Sequence, residues 1–380
     1  MAPLAAPRRL RDLILLALAA SASGCVLLPS LGGPPPREGE APIPAPWPGL
    51  VDLRGIVHCH SLQSHDSRGT FAEIAAAASE VGARFVILTD HLRAPTEDPG
   101  PDGLVAGVRF IPGVERRSRS GGSLLVLGAR AGIDPGLADA EAALQARAQG
   151  ALVAIGHPEQ AAGGGLARPD GVELMNLHAD VQDECYPWLL LRALVLPPGA
   201  FFAGVVSRQA AAAAVYDQHA PEGPLAALGG CDAHEAVRLL GPLGGAVDSY
   251  RRVFRCATTH VLVADDSRAA ILAALRAGRS YAACELERDA TGFRVVARRD
   301  LEPVGTLGDE VTLAPGLELL VEAPAPCRLT VLCDGATAHR ACGTGLVLPL
   351  TRPGAYRVEA ELAGIPWVAT SAIRVVRAPP

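Results

Sequence analysis

Val51-Asp52-Leu53-Arg54-Gly55-Ile56-Val57-His58-Cys59-His60 decides how the rest of this chain is read. The run from Val51 to His58 is apolar enough for a buried strand, and it closes on two histidines one residue apart. Side chains alternate faces along a strand, so His58 and His60 are expected to point the same way, about 6.5 to 7 Å apart along the backbone. Two imidazoles so placed can share one metal ion. Parallel strands gather their carboxyl ends at one face of a sheet or barrel, so ligands at other strand ends can join them.

Several other predicted strands do end this way. Arg84-Phe85-Val86-Ile87-Leu88-Thr89 runs into Asp90-His91, and Glu115 follows Phe110-Ile111-Pro112-Gly113. His157 follows the run from Ala151 to Gly156, and Asp232-Ala233-His234 repeats the one-apart spacing after Leu228-Gly229-Gly230. A lone histidine at a strand end is as a rule a structural residue. Five of them, with Glu115 and Asp232 placed likewise, are better explained by one shared site. Imidazole and carboxylate ligands without thiolates suit Zn, Mn or Fe.

Between these ends the pattern alternates short apolar runs with alanine-rich helical stretches. Helices are expected over Phe71 to Val81, opened by the capping box Thr70-Phe71-Ala72-Glu73, and near Ala138 to Gln149, Ser207 to Asp217 and Ser267 to Ala277. Further strands are expected at Val108 to Ile111, Leu124 to Leu127, Val172 to Asn176, Leu225 to Gly230 and His260 to Val263. This is α/β alternation, with parallel strands covered by helices as a barrel or an open sheet. After about Arg299 the helical pattern stops. Leu317 to Val321, Arg328 to Leu332, Gly354 to Leu362 and Ile373 to Val376 are short β-type runs broken by Gly and Pro, the pattern of a small β-sandwich.

The N-terminus carries a different signal. Arg8, Arg9 and Arg11 precede an apolar run from Leu13 to Ala22, too short to span a bilayer but right for an export signal. Ala22-Ser23-Gly24-Cys25 then resembles a bacterial lipobox, which implies acylation of Cys25 and anchoring to a lipid bilayer at the cell envelope. From Pro29 to Pro48 the proline density favours an extended, stiff tether. Export implies an oxidising compartment, and one disulfide among Cys327, Cys333 and Cys342 is expected there.

Composition narrows the chemistry. All 34 basic residues are arginine, which excludes a P-loop lysine, a Schiff-base lysine and a lysine general base. A net charge of -6 and 4% aromatics argue against a nucleic-acid surface. A cysteine nucleophile at Cys59 or Cys231 is a weak alternative, because each lies beside metal-type ligands and should face away from them.

The ordered stretches His58-Cys59-His60-Ser61-Leu62-Gln63-Ser64-His65-Asp66, Thr89-Asp90-His91, Gly113-Val114-Glu115, Gly156-His157-Pro158 and Gly230-Cys231-Asp232-Ala233-His234 resemble the motifs of the PHP (polymerase and histidinol phosphatase) metallohydrolases. The resemblance covers about Leu53 to Glu285. Ser249-Tyr250-Arg251-Arg252, Ala277-Gly278-Arg279-Ser280-Tyr281 and Pro366-Trp367 in a trailing β-domain are similar to its exported, carbaryl-hydrolase-like branch. The resemblance implies a distorted seven-stranded β/α barrel over 51–299, preceded by a signal peptide over 1–25 and a tether over 26–50, and followed by the sandwich over 300–380. It also implies two or three divalent metal ions. His58 and His60 would hold the first with Asp232, Glu115 would bridge to a second that also takes His157, and Asp66, His91 and His234 would hold the third. The chain departs from many relatives at Gly121-Gly122-Ser123, where they carry a histidine shortly after the bridging glutamate. His178 could substitute there or line the pocket.

The expected reaction is hydrolysis by a metal-activated hydroxide, since a bound divalent ion lowers the pKa of water from 15.7 toward about 7. A phosphoester is the first candidate substrate, with a carboxylic ester or carbamate as the alternative. Asp66 or His234 would carry protons near the leaving group. Arg68, Arg116, Arg117 and Arg279 are candidates for holding an anionic substrate. The non-enzymatic alternative is a surface-anchored binding protein that retains metal but turns over nothing.

Overall fold

The alternation of apolar runs and alanine-rich stretches folds into a mixed α/β structure built on one large sheet. The structure is a computed structural model, and it describes residues 49–378 apart from 93, 161–165, 167, 183–188, 190–191, 193–194, 236–237, 240–244 and 247–248. The expected export signal, Cys25 and the proline-rich segment through Pro48 lie outside the described residues. Among the described residues, no helix is long and apolar enough to cross a membrane.

Nine strands frame the sheet: β1 (Val51–Cys59), β2 (Phe85–Leu88), β3 (Gly103–Val105), β4 (Val108–Ile111), β5 (Gly113–Arg117), β6 (Ser123–Leu127), β7 (Leu152–Gly156), β8 (Gly171–Asn176) and β9 (Ala226–Ala233). β1 runs parallel to β2 on one edge and to β9 on the other. β2 is parallel to β4, and Asp90 just beyond β2 bridges to Val114 in β5. β5, β6 and β7 pair antiparallel, and β7, β8 and β9 pair parallel. The ends of the parallel strands β1, β2, β7 and β9 thereby bring His60, Asp90, His157 and His234 to one side.

The helices obey their local signals. In helix Phe71–Glu80 the Thr70 hydroxyl accepts from the Glu73 backbone, and the Glu73 carboxylate accepts from the Thr70 backbone at 2.8 Å. Such a cap contributes about 1 kcal/mol. This helix buries Ile74, Ala75, Ala77 and Ala78. Helix Arg268–Arg276 starts on a Ser267 cap and buries Ile271, Leu272, Ala274 and Leu275 in one core cluster with Leu53, Val57 and Val261. Strand β5 and helices Leu177–Gln182 and Pro198–Ala203 stand where the sequence pattern predicts no element.

Two short strands, β10 (Arg238–Leu239) and β11 (Gly245–Ala246), pair with each other. β12 (Thr258–Val263) then runs antiparallel to the first half of β1, and β13 (Ser280–Ala283) antiparallel to β12. The remainder is strand: β14 (Arg294–Arg299), β15 (Glu302–Thr306), β16 (Glu310–Thr312), β17 (Leu317–Cys333), β18 (Ala336–Pro349), β19 (Gly354–Leu362), β20 (Ile365–Thr370) and β21 (Ile373–Val376). β17 is one long strand where the sequence reads as two short runs, and it pairs with β14, β18 and β19. Trp367 is fully buried in this region, packed edge-on against Phe293. β20 also pairs with β13, so the strands after Arg294 join the large sheet.

The expected disulfide is absent. Every described cysteine is a free thiol, including Cys327, Cys333 and Cys342. The register gives the reason: Cys327 faces Gly343 while Arg328 faces Cys342, so the two side chains leave opposite faces of the β17–β18 pair. Cys333 lies six residues further along the strand, roughly 20 Å away.

Candidate metal centre

β1 does not end as a regular strand. Its register shifts between Val57 and Cys59 against both neighbours, and His58 adopts a left-handed backbone with φ of 61°. The expected same-face alternation of His58 and His60 is therefore replaced by a bulge that brings both rings inward, with centroids 5.3 Å apart. His157 (φ 47°) and Asp232 (φ 46°) share the left-handed conformation. It strains any residue but glycine and concentrates at functional sites.

Two groups of side chains could each hold a cation. One is His58, Glu115, His157 and Asp232, all buried; the other is His60, Asp66, His91 and His234, which opens toward solvent. The expected set of His58, His60 and Asp232 runs across these two groups. Glu115 touches both groups. Its Oε2 lies 3.0 Å from His58 Nε2, 3.1 Å from His60 Nε2 and 3.5 Å from His91 Nε2, and its Oε1 is 3.6 Å from His157 Nε2. Asp232 Oδ1 is 3.2 Å from both His58 Nε2 and His60 Nε2. Asp66 Oδ2 completes the outer group, 3.5 Å from His91 Nε2 and 3.6 Å from His234 Nε2.

Four of the imidazoles turn Nδ1 away from the centre: His58 toward Glu173 (2.6 Å), His60 toward the Ser64 hydroxyl (3.3 Å), His91 toward the Glu115 carbonyl (3.4 Å) and His157 toward Glu159 (3.4 Å). His234 Nδ1 lies 2.9 Å from the Asp232 carbonyl and 3.5 Å from Asp232 Oδ1. Each Nε2 is thereby turned toward the carboxylates. Ligating histidines are held this way, with one ring nitrogen fixed by an outer partner and the other left for the ion. The backbone is tied down as well. Asp90 accepts from the Ser61 N–H at 2.6 Å and from its hydroxyl at 2.8 Å, and the Tyr250 hydroxyl donates to the His60 carbonyl at 2.7 Å.

The electrostatics ask for positive charge. Burial opposes a charged His58, but Glu173, Glu115 and Asp232 outweigh it and raise its pKa well above the ordinary value. His60 is likewise opposed by burial and raised by Asp232 and Glu115 to about 9. Burial raises Glu115 and Asp232, yet the surrounding imidazoles hold both well below the usual carboxylate range. In the protein alone that positive charge comes from protons. The donor set fits a divalent cation: His60 Nε2 is buried with no directed hydrogen bond although two carboxylate oxygens lie 3.1 and 3.2 Å away. Lone pairs facing one another at that range are stable with a cation between them.

Other predicted residues divide. Asp66, His91, Glu115 and Arg117 line an open cleft of about 500 Å3 together with His65, Leu92 and Ile133. Arg68 is exposed at the same rim, its backbone N–H 3.4 Å from the His234 carbonyl. Arg116 does not offer its guanidinium to the cleft: it is buried on Asp139 at 3.0 Å and on the Leu137 carbonyl. Arg279 is not brought to the group at all. It pairs with Asp309 at 3.2 Å, and its neighbour Ser280 bonds to Ala227 at the opposite end of β9 from Asp232. His178 sits on helix Leu177–Gln182, and its side chain lies outside the described residues. The Cys231 thiol is pushed up to about 12 by burial and donates to the His58 carbonyl at 3.2 Å, so it is no nucleophile. Glu173 was hidden from sequence reasoning as one more residue of a buried strand.

No protein-family model matches this chain, and no curated protein does. Among solved structures, a two-domain protein from Bacteroides vulgatus ATCC 8482 containing a predicted PHP-like metal-dependent phosphoesterase is a structural neighbour. It is 15% identical, with 88% of this chain and 98% of that chain covered and a TM-score of 0.40.

Proposed function

We propose that this chain is a metal-dependent hydrolase of the PHP type, with phosphoesters as its first substrate class. One observation carries the reading: five imidazole Nε2 atoms and the carboxylates of Glu115, Asp232 and Asp66 converge at one end of the sheet. His58, Glu115, His157 and Asp232 would hold one cation, and His60, Asp66, His91 and His234 another. With Glu115 reaching both groups, the reading takes two ions as the minimum. Divalent cations held there would supply an acidified water and a Lewis-acid grip on the attacked and leaving oxygens.

The chain's own residues do the rest. Arg116 and Arg117 both line the cleft; with the Arg116 guanidinium engaged by Asp139, Arg117 meets the anionic group of an incoming ester. Burial raises the Asp66 carboxyl, but His234, Ser64 and His91 outweigh it and hold it anionic. Asp66 therefore serves as a ligand rather than an acid. His234, fixed through Nδ1 on the Asp232 carbonyl, has only Nε2 to offer, and it serves either the outer cation or the proton of the leaving group. We read the pairing of β1 with β2, β4 and β5 with β2, and β6 through β9 back to β1 as a distorted β/α barrel of seven positions. The strands after Arg299 are read as its β-sandwich companion, and the chain as an exported lipoprotein anchored through Cys25.

The test loads purified protein with Zn2+ or Mn2+ and compares p-nitrophenyl phosphate, a naphthyl carbamate and a naphthyl ester, with His58→Ala as control. Metal-dependent turnover of the phosphate that disappears in His58→Ala supports the proposal. Turnover of the carbamate or carboxylic ester instead moves the substrate class and keeps the metal chemistry. Tightly held metal with no turnover on any of them leaves a binding protein and defeats catalysis.

A further inference from the structure

We propose that Glu173 is a positioning residue for the inner group, holding the ring of His58 and the backbone of His157 so that both imidazoles face one cation. This rests on the metal-centre reading above and adds to it a residue outside the ligand set.

Glu173 sits in the middle of β8, fully buried between β7 and β9. Its Oε1 lies 2.6 Å from His58 Nδ1. Its Oε2 accepts from the His157 backbone N–H at 3.0 Å and from Asn176 Nδ2 at 3.0 Å. An ionised carboxylate only accepts, so the hydrogen of this contact belongs to His58 Nδ1. That choice of tautomer leaves the Nε2 lone pair toward Glu115 Oε2 and Asp232 Oδ1, at 3.0 and 3.2 Å. The carboxylate thus holds two of the residues whose backbones are left-handed, His58 and His157. Strained residues persist only where their surroundings over-determine them, and Glu173 is a direct contact of both.

The fold makes room for this contact. A Cβ added to Gly230 would lie 1.6 Å from Glu173 Oε1, so the glycine in β9 is the space the carboxylate occupies. Among the described residues the only ion pair of Glu173 is with His58. A buried carboxylate with no arginine is costly unless the imidazole it grips carries charge or is bound to a cation. A ligand imidazole backed by a carboxylate is also more basic toward its metal, and loss of such outer partners typically weakens metal binding about 10- to 100-fold.

Glu173→Gln preserves size but offers one oxygen and one NH2 group to three donors, so either His58 Nδ1 or the His157 N–H meets a donor. Wild type and variant are equilibrated with Zn2+ against chelators of graded strength, and bound zinc is counted by elemental analysis, with near-ultraviolet circular dichroism to confirm folding. The expected result is loss of one zinc per chain from the variant at a chelator strength about 10- to 100-fold weaker than wild type withstands, while the ion of the outer group stays. Glu173→Asp, which keeps the charge, is expected to recover part of the difference. Should Glu173→Gln not fold, nitrogen-15 spectra of the histidines in zinc-loaded wild type decide: the proposal requires His58 protonated at Nδ1 and metal-bound at Nε2. Zinc retention by Glu173→Gln within twofold of wild type, or metal-binding of His58 through Nδ1, overturns it. Wild type that takes up no zinc sinks the metal centre itself, and the role of Glu173 with it.

Discussion

At its start β1 supplies Asp52 and Arg54 to one buried charged network, and at its end it supplies His58 and His60 to another. The first network carries its own guanidinium. Asp52 Oδ1 is 2.9 Å from His260 Nδ1, and its Oδ2 accepts from the Tyr281 hydroxyl at 2.5 Å. Arg54 pairs with Glu285 Oε1 at 2.8 Å and with Asp289, and the Ala290 and Gly292 N–H groups donate to Glu285 Oε1 and Asp52 Oδ2. The second network has Glu115, Glu173 and Asp232 buried among imidazoles, and among the described residues no arginine pairs with Glu115 or Glu173. Buried carboxylates are tolerated only when paired. Where the chain supplies a guanidinium the cluster balances its own charge; where it supplies ring nitrogens facing inward, the charge comes from their protons or from a bound cation.

That contrast is broken most severely by Asp232→Ala, which removes an oxygen facing His58, His60 and His157. Hydrolysis should fall by more than the roughly 100-fold that outer partners carry, with loss of bound metal, as read by kinetics and elemental analysis. The mirror experiment is Arg54→Met. It strands Glu285 and Asp289 and should cost about 3 to 5 kcal/mol in denaturant unfolding while leaving metal content unchanged; lost metal there would erase the distinction between the two clusters.

A pH series sharpens it further. Burial opposes the charged form of His260, but Asp52 and Glu285 raise its pKa from 6.5 to about 9. A pKa raised on folding contributes stability that is complete below pH 6.5 and lost as pH rises through about 9, each unit being worth about 1.4 kcal/mol. Tyr281 also faces this ring and stays protonated, because burial and Asp52 raise it well above its ordinary value. The melting temperature of wild type should fall across pH 6.5 to 9, and His260→Gln should flatten that slope. The smallest effects separate the arginines: Arg117→Ala should raise KM roughly tenfold, as loss of one charge-assisted contact does. Arg279→Ala should leave kcat/KM within twofold and cost under about 1 kcal/mol, since its partner Asp309 lies near the surface.

The ligand types were legible because each stands at the end of a short apolar run, where strand periodicity is easiest to follow. His58, His60, His91, His157 and His234 could be assigned to one face from spacing alone, as could Glu115 and Asp232. Their grouping could not. Regular alternation predicts His58 and His60 on one face, but not the bulge at His58 that turns both rings onto the same Glu115 and Asp232 oxygens, because a left-handed residue leaves no trace in apolar periodicity. The arginines misled for a related reason. Arg116 and Arg117 are adjacent in sequence, and only the packing of Asp139 against β5 shows which of them is spoken for.

What the residues determined on their own was an α/β chain with imidazoles and carboxylates at one sheet end, since periodicity and residue chemistry are local properties. Tertiary structure decided which of those ligands face one another, which arginine is free to meet substrate, and that Glu173 stands behind His58. Those depend on contacts across β1, β8 and β9, between residues more than fifty positions apart, and distance in space is not written in the order of the chain.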